Sequence, residues 1–116
     1  MAEKELTPEL MRLVAERFRL LGEPARLQIL QALRTGERTV SQLVSETGLT
    51  QANTSKHLQL LHSLGFIERR KAGQYVYYRL ADEGVFRLCD IMCGRLEAEA
   101  AERQRLLGDR GEGEQD

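Results

Sequence analysis

Apolar residues along most of this chain recur at helical spacing, broken once by a short stretch that alternates every second position. Leu10, Val14, Phe18 and Leu21 fall on one face of a helix that Thr7 caps and Pro8 opens, with Arg12, Glu16 and Arg19 on other faces. Gly22 ends that segment. Pro24 begins a second helix with a stripe of Leu27, Leu30 and Leu33, Ile29 beside it, and a stop at Thr35-Gly36. A short third helix has Thr39 as its cap, Val40, Leu43 and Val44 facing inward, and Gly48 closing it. Thr50 caps a fourth, whose inward positions are Thr54 (through its methyl), Leu58, Leu61 and Leu64, with Gly65 past its end. The period then changes to two. Phe66–Arg70 and Tyr75–Leu80 flank Ala72-Gly73-Gln74, the pattern of a hairpin with glycine at its tip. From about Asp82 helical spacing returns through Val85, Phe86, Leu88, Cys89, Met92, Cys93 and Leu96. It runs on into Glu97–Arg103, strong helix formers with little apolar face.

The predicted order is α-α-α-α-β-β-α, a mostly α fold with one small β-hairpin. Two short helices joined by Gly48-Leu49-Thr50 form a helix-turn-helix, and the hairpin directly after the second is a wing. A chain of 116 residues supports one modest core. Residues 1–107 are read as a single winged helix-turn-helix domain, and the glycine-rich acidic residues 108–116 as a disordered tail. No apolar run approaches the ~20 residues of a membrane span. Met1-Ala2-Glu3-Lys4-Glu5 has neither the apolar stretch nor the small-residue cleavage pattern of a signal peptide, so no membrane partner and a cytoplasmic location are expected.

Charge changes the picture only when it is mapped along the chain. The net charge is −1, with 41% hydrophobic and 30% charged residues. Between Gln51 and Leu80, however, Lys56, Arg69, Arg70, Lys71 and Arg79 stand against Glu68 alone, a local excess of four positive charges. From Ala81 to Asp116 five arginines face ten acids. Local potential, not net charge, steers a polyanion. With Thr54, Leu58 and Leu61 turned inward, the fourth helix presents Gln51, Ala52, Asn53, Ser55, Lys56 and Gln59 outward near its N-terminus. Gln and Asn can pair with adenine, Lys can reach guanine or phosphate, and an alanine methyl can touch thymine. Arg69, Arg70, Lys71 and Gln74 make the wing a cationic finger suited to backbone or minor groove. His57 lies near the inner face, as a packing or hydrogen-bonding residue and not a base reader. Tyr75, Tyr77 and Tyr78 read as hairpin packing. The expected partner is double-stranded DNA.

These residues carry a family resemblance. The run Phe18-Arg19-Leu20-Leu21-Gly22-Glu23-Pro24-Ala25-Arg26-Leu27-Gln28-Ile29-Leu30 resembles the opening signature of the ArsR–SmtB winged-helix repressors. Ser55-Lys56-His57-Leu58, Leu61, Gly65-Phe66-Ile67 and Gly73-Gln74-Tyr75-Val76-Tyr77-Tyr78-Arg79-Leu80 are similar to their recognition helix and wing. The resemblance covers about residues 10–96 and implies a homodimer built on the first and last helices, bound to an inverted-repeat operator and released by an inducer. Two readings of the residues agree with a dimer: the last helix has more apolar face than a small domain can cover, and one helix-turn-helix reads few base pairs. The family's zinc-type site on the last helix needs an Asp, two His and a further acid or His. Asp82 is present, but Gly84, Arg95 and Ala98 occupy the other positions. The family's arsenic-type thiols on the third helix are absent from Ser41-Gln42-Leu43-Val44-Ser45-Glu46.

That leaves Cys89 and Cys93. Four apart, they occupy neighbouring turns of one helix face, too few for a disulfide framework. Three readings stand open: apolar packing in continuation of Val85, Met92 and Leu96, a shared soft metal or metalloid ion, or thiol oxidation and persulfide chemistry. No cofactor is otherwise implied. His62 has no partner at metal-ligand spacing. No Ser–His–Asp set, phosphate loop or paired catalytic acids is present, and Cys89 and Cys93 lack the C-x-x-C spacing of a thiol oxidoreductase, so no enzyme is expected.

Overall fold

Threonine hydroxyls start three of the helices in the computed structural model, which describes the backbone of residues 5–115 and the side chains of residues 5–108. The elements are α1 (Pro8–Leu21), α2 (Pro24–Leu33), α3 (Val40–Thr47), α4 (Gln51–Ser63), β1 (Ile67–Ala72), β2 (Tyr75–Leu80) and α5 (Gly84–Gln115). Thr7, Thr39 and Thr50 each accept the backbone N–H three residues on, from Leu10 at 3.2 Å, Gln42 at 3.2 Å and Asn53 at 3.1 Å. Gln42 Oε1 accepts the Thr39 N–H in return at 2.8 Å, completing a capping box. The predicted order of elements is therefore the observed one. The chain divides into two units, Met1–Asp82 and Glu83–Asp116.

In the first unit α2 is central, packed with α1, α3, α4 and β2. Its Ile29, Leu30 and Leu33 are buried with Leu20 and Leu21 of α1, Leu43 of α3, Leu58 and Leu61 of α4, and Ile67 of β1. The one buried polar side chain among the described residues, Thr54, is satisfied by donating from Oγ1 to the Thr50 carbonyl at 2.8 Å. That removes the cost of burying a hydroxyl without a partner. The expected stripe of α1 is covered only in part: Leu21 is buried and Leu10 and Val14 half-buried, but Phe18 is 55% exposed. A helix packed chiefly on one neighbour leaves the rest of its apolar face uncovered.

The wing is longer than predicted at its first strand, which begins at Ile67 and runs two residues further, to Ala72. β1 and β2 pair antiparallel from Ile67↔Leu80 to Ala72↔Tyr75, leaving Gly73-Gln74 as the turn. Gly73 has φ +62°, as a two-residue hairpin with glycine first requires. A connection that the sequence did not disclose joins the wing to the α2–α3 loop. Arg38 N–H donates to the Tyr78 carbonyl at 3.0 Å, and Tyr78 N–H donates to the Arg38 carbonyl at 2.8 Å.

In the second unit α5 starts at Gly84, slightly later than the expected Asp82. Its buried side chains are Val85 and Phe86, whereas Leu88, Ile91, Met92, Leu96, Leu106 and Leu107 are exposed. The backbone of α5 continues to Gln115, and the disordered tail expected over 108–116 falls almost wholly on residues whose side chains lie outside those described. No helix among the described residues is long and apolar enough to cross a membrane.

Two substitutions separate backbone from packing contributions. At Gly48, with φ +76°, an added Cβ would meet no atom within 4 Å. Gly48→Ala is therefore expected to cost about 1–2 kcal/mol from the left-handed backbone alone. Leu61→Ala, at a fully buried position, is expected to cost about 2–5 kcal/mol. Urea denaturation of the two variants beside the parent checks both values and their order.

Candidate nucleic-acid interface

The turn between α3 and α4 is fixed at every residue. Gly48 adopts the left-handed conformation that closes a helix, its N–H donating to the Val44 carbonyl at 2.9 Å. Leu49 N–H donates to Thr47 Oγ1 at 3.3 Å, and Thr50 caps α4. From α2, Gln28 Nε2 donates to the Thr47 carbonyl at 2.9 Å, tying this turn to the scaffold. The orientation of α4 is thus set by its turn and by three inward residues, Thr54, Leu58 and Leu61, all fully buried. Gln51, Ala52, Asn53, Ser55, Lys56 and Gln59 are all exposed on the remaining surface. The geometry brings these six sequence-predicted residues together on the first turns of one helix.

His57 sits at the margin between the two faces. Arg26 Nε donates to His57 Nδ1 at 3.1 Å, and the same guanidinium donates from NH1 to the Leu20 carbonyl at 2.9 Å. Guanidinium is a donor only, so Nδ1 is the acceptor and the ring proton resides on Nε2. Partial burial, then the nearby Arg26 charge and that of Lys56, push the His57 pKa down, with Glu23 opposing. His57 is therefore a structural hydrogen-bonding residue linking α4 to α2 and the end of α1. Arg26 was missed from the sequence because its partner lies 31 positions away.

The wing sorts its cations by strand alternation. Ile67, Arg69 and Lys71 share one face with Leu80, Tyr78 and Val76, while Glu68 and Arg70 share the other with Arg79 and Tyr77. On that second face the cations are engaged. Arg79 NH2 donates to Glu68 Oε2 at 2.8 Å. Arg70 grips Glu37 through Nε, at 3.0 and 3.1 Å to the two carboxylate oxygens, and through NH2 at 2.8 Å. Its guanidinium also lies over the Tyr77 ring, 4.8 Å from the centroid, and Tyr75 tilts against Tyr77 at 6.5 Å. The hydrogen bonds from Arg70 hold the Glu37 carboxyl below its ordinary pKa and raise that of Arg70 in turn. Arg69, Lys71 and Lys56 are exposed and make no ion pair with a described residue. Gln74 is exposed at the tip. The local excess of positive charge thus resides on three residues, since Glu37, outside the stretch counted from sequence, neutralises Arg70.

Cys89 is half-buried and Cys93 exposed, and neither is in a disulfide. Among the described residues no group of three or more His, Cys, Asp or Glu side chains could hold a metal ion.

Residues 23–69 match the model of the bacterial regulatory protein family arsR. The chain is 43% identical over 75 residues to the HTH-type transcriptional regulator Rv0324 of Mycobacterium tuberculosis, a match covering 65% of this chain and 33% of that protein. This chain therefore spans about a third of that relative's length. It is 33% identical over 90 residues to the transcriptional repressor SmtB homolog of Synechocystis, covering 73% of this chain and 68% of that one. Among solved structures, the homodimeric winged helix-turn-helix DNA-binding domain Mb0332 of Mycobacterium bovis superposes with a TM-score of 0.68 at 34% identity, covering 84% of this chain and 90% of that one.

The lowered His57 pKa has a direct consequence. As pH falls below the ordinary histidine value of 6.5, the unfolded chain takes up the proton before the folded chain does. Stability is therefore lost as pH falls from above that value toward the folded pKa, and regained on raising it. His57→Asn retains an acceptor for Arg26 but cannot titrate there. Between pH 7.5 and 5.5 the urea midpoint of the parent is expected to fall more than that of His57→Asn, and equal falls would remove His57 as the cause.

Proposed function

The chain belongs to the ArsR family of bacterial regulatory proteins, and on that premise we propose that it is a homodimeric, winged-helix transcriptional repressor bound to an inverted-repeat operator. The family is one of regulators and not of enzymes. The observation that carries the reading is the exposed polar surface of α4, followed in the same unit by a wing with uncompensated cations. Gln51, Ala52, Asn53, Ser55 and Gln59 would read base edges, and Lys56 a guanine or phosphate. Arg69, Lys71 and Gln74 would contact the backbone or adjacent minor groove. Arg70 would act as a contact only after leaving Glu37. Residues 1–107 would carry both DNA binding and dimerisation, with 108–116 as an acidic tail, in the cytoplasm.

A second copy of the chain fits the apolar residues exposed on both α1 and α5. Met11, Leu13 and Phe18 are uncovered on the first, Ile91, Met92 and Leu96 on the second. Large apolar side chains left in water in such numbers are usual at protein contacts. The homodimeric state of the Mycobacterium bovis neighbour supports the same reading. Cys89 and Cys93 lie on this helix, and across a two-fold axis four thiols could meet. A soft metal or metalloid, or an oxidant or persulfide, would then act as the inducer that releases DNA.

Footprinting on DNA upstream of the chain's own gene tests the repressor reading. A protected, salt-sensitive inverted repeat is expected, and absence of any sequence-specific complex overturns it. Lys56→Ala, Arg69→Ala and Lys71→Ala are each expected to flatten the dependence of log K on log salt by about 0.9 per protomer. Arg79→Ala is expected to leave it nearly unchanged, because Glu68 already neutralises that charge. Titrating the operator complex with arsenite, cadmium, copper(I), peroxide and persulfide checks the inducer. Cys89→Ser and Cys93→Ser should abolish any release that the thiols mediate, and release that persists in both variants excludes them.

A further inference from the structure

The α2–α3 loop supplies one acid, Glu37, to the wing, where it meets Arg70, whose cross-strand neighbour is Tyr77. Arg70 uses Nε and NH2 on both oxygens of that carboxylate, at 2.8 to 3.1 Å. This fork is the arrangement by which arginine binds a phosphate. Tyr77 covers the guanidinium plane at 4.8 Å. Glu37 is itself held in place, since its neighbour Arg38 is hydrogen-bonded by both backbone groups to Tyr78, next to Tyr77 on β2. The Arg38 guanidinium is anchored in turn, with Nε donating to Glu46 Oε1 at 2.8 Å and NH2 to Thr35 Oγ1 at 2.9 Å.

We propose that Glu37 is a positioning residue for DNA binding, its carboxylate occupying the phosphate-binding fork of Arg70 so that Arg69 and Lys71 are the wing cations that engage DNA. The proposal rests on the DNA-binding reading above. An Arg–Glu pair carries no net charge, so it displaces no counterions when it approaches the duplex, whereas a freed Arg70 would displace about one. Phosphate contacts are independent of sequence. Glu37 therefore lowers affinity for all duplex DNA equally and keeps the background of non-specific binding down. A residue that merely braced the wing would do the opposite, because losing it would weaken binding.

The test uses the full chain, a duplex carrying the footprinted operator, and an unrelated duplex of equal length. Glu37→Gln keeps shape and removes the charge, and Glu37→Ala also removes the side chain. Both are expected to steepen the salt dependence by about 0.9 per protomer, and to tighten binding to both duplexes by roughly fivefold per protomer at 0.15 M salt. In an Arg70→Ala background Glu37→Gln should change neither quantity, and Arg70→Ala alone should leave the slope close to that of the parent. An unchanged or flatter slope in Glu37→Gln, or weaker binding, overturns the proposal while the parent still binds its operator. Loss of salt-dependent binding in the parent itself overturns the DNA-binding reading, and this one with it.

Discussion

The polar surface that the first unit exposes on α4 depends on that helix having one possible rotation about its axis. Thr54, Leu58 and Leu61 are completely enclosed, and a turn of the helix by one residue would expose Leu58 and Leu61 and bury either Ser55, Gln59 and His62 or Asn53, His57 and Leu60 in their place. Each such exchange costs of order 2–3 kcal/mol from the apolar side alone. The rotation is therefore fixed before any nucleic acid approaches. Gly48, Thr50 and the Gln28 bond to the Thr47 carbonyl fix where the helix begins. The polar surface is the remainder of that constraint.

The charge of the wing obeys a second constraint, compensation across the fold. Strand alternation alone separates Arg69 and Lys71 from Arg70 and Arg79, and the second pair meets carboxylates, one from its own hairpin and one from the α2–α3 loop. Partial neutralisation leaves two wing cations, Arg69 and Lys71, without a carboxylate partner among the described residues.

How much of this was legible in the chain follows from the range of each interaction. Thr7, Thr39, Thr50, Gly48 and Gly73 each act within a few residues, and each marked its element correctly. The inward set of α4 followed from the 3.6-residue period. The Arg26–His57 and Arg70–Glu37 contacts span 31 and 33 positions, and no periodicity records which distant arginine faces which acid. That is why a charge count over residues 51–80 assigned Arg70 to the free cations. Phe18 was grouped with residues that are buried or half-buried, yet it is exposed. Its spacing is that of a packed helix face, and spacing does not say whether the cover comes from the same chain. Charges at Glu37 and Arg38, between two helices, were the available signal that the loop returns to the hairpin.

The one-residue bridge between Arg38 and Tyr78 bears on a hazard common to small sheets. A two-stranded ribbon has two unpaired edges, each able to recruit a strand from another molecule and begin a fibre. Here the β2 edge is occupied at Tyr78 by Arg38, both of whose backbone groups are used. The β1 edge carries Glu68, Arg69, Arg70 and Lys71 in succession, a run of charge that a neighbouring strand could not cover without desolvating it. The same basic residues that suit the wing to a polyanion also keep the hairpin from polymerising, so solubility and ligand preference draw on one set of side chains.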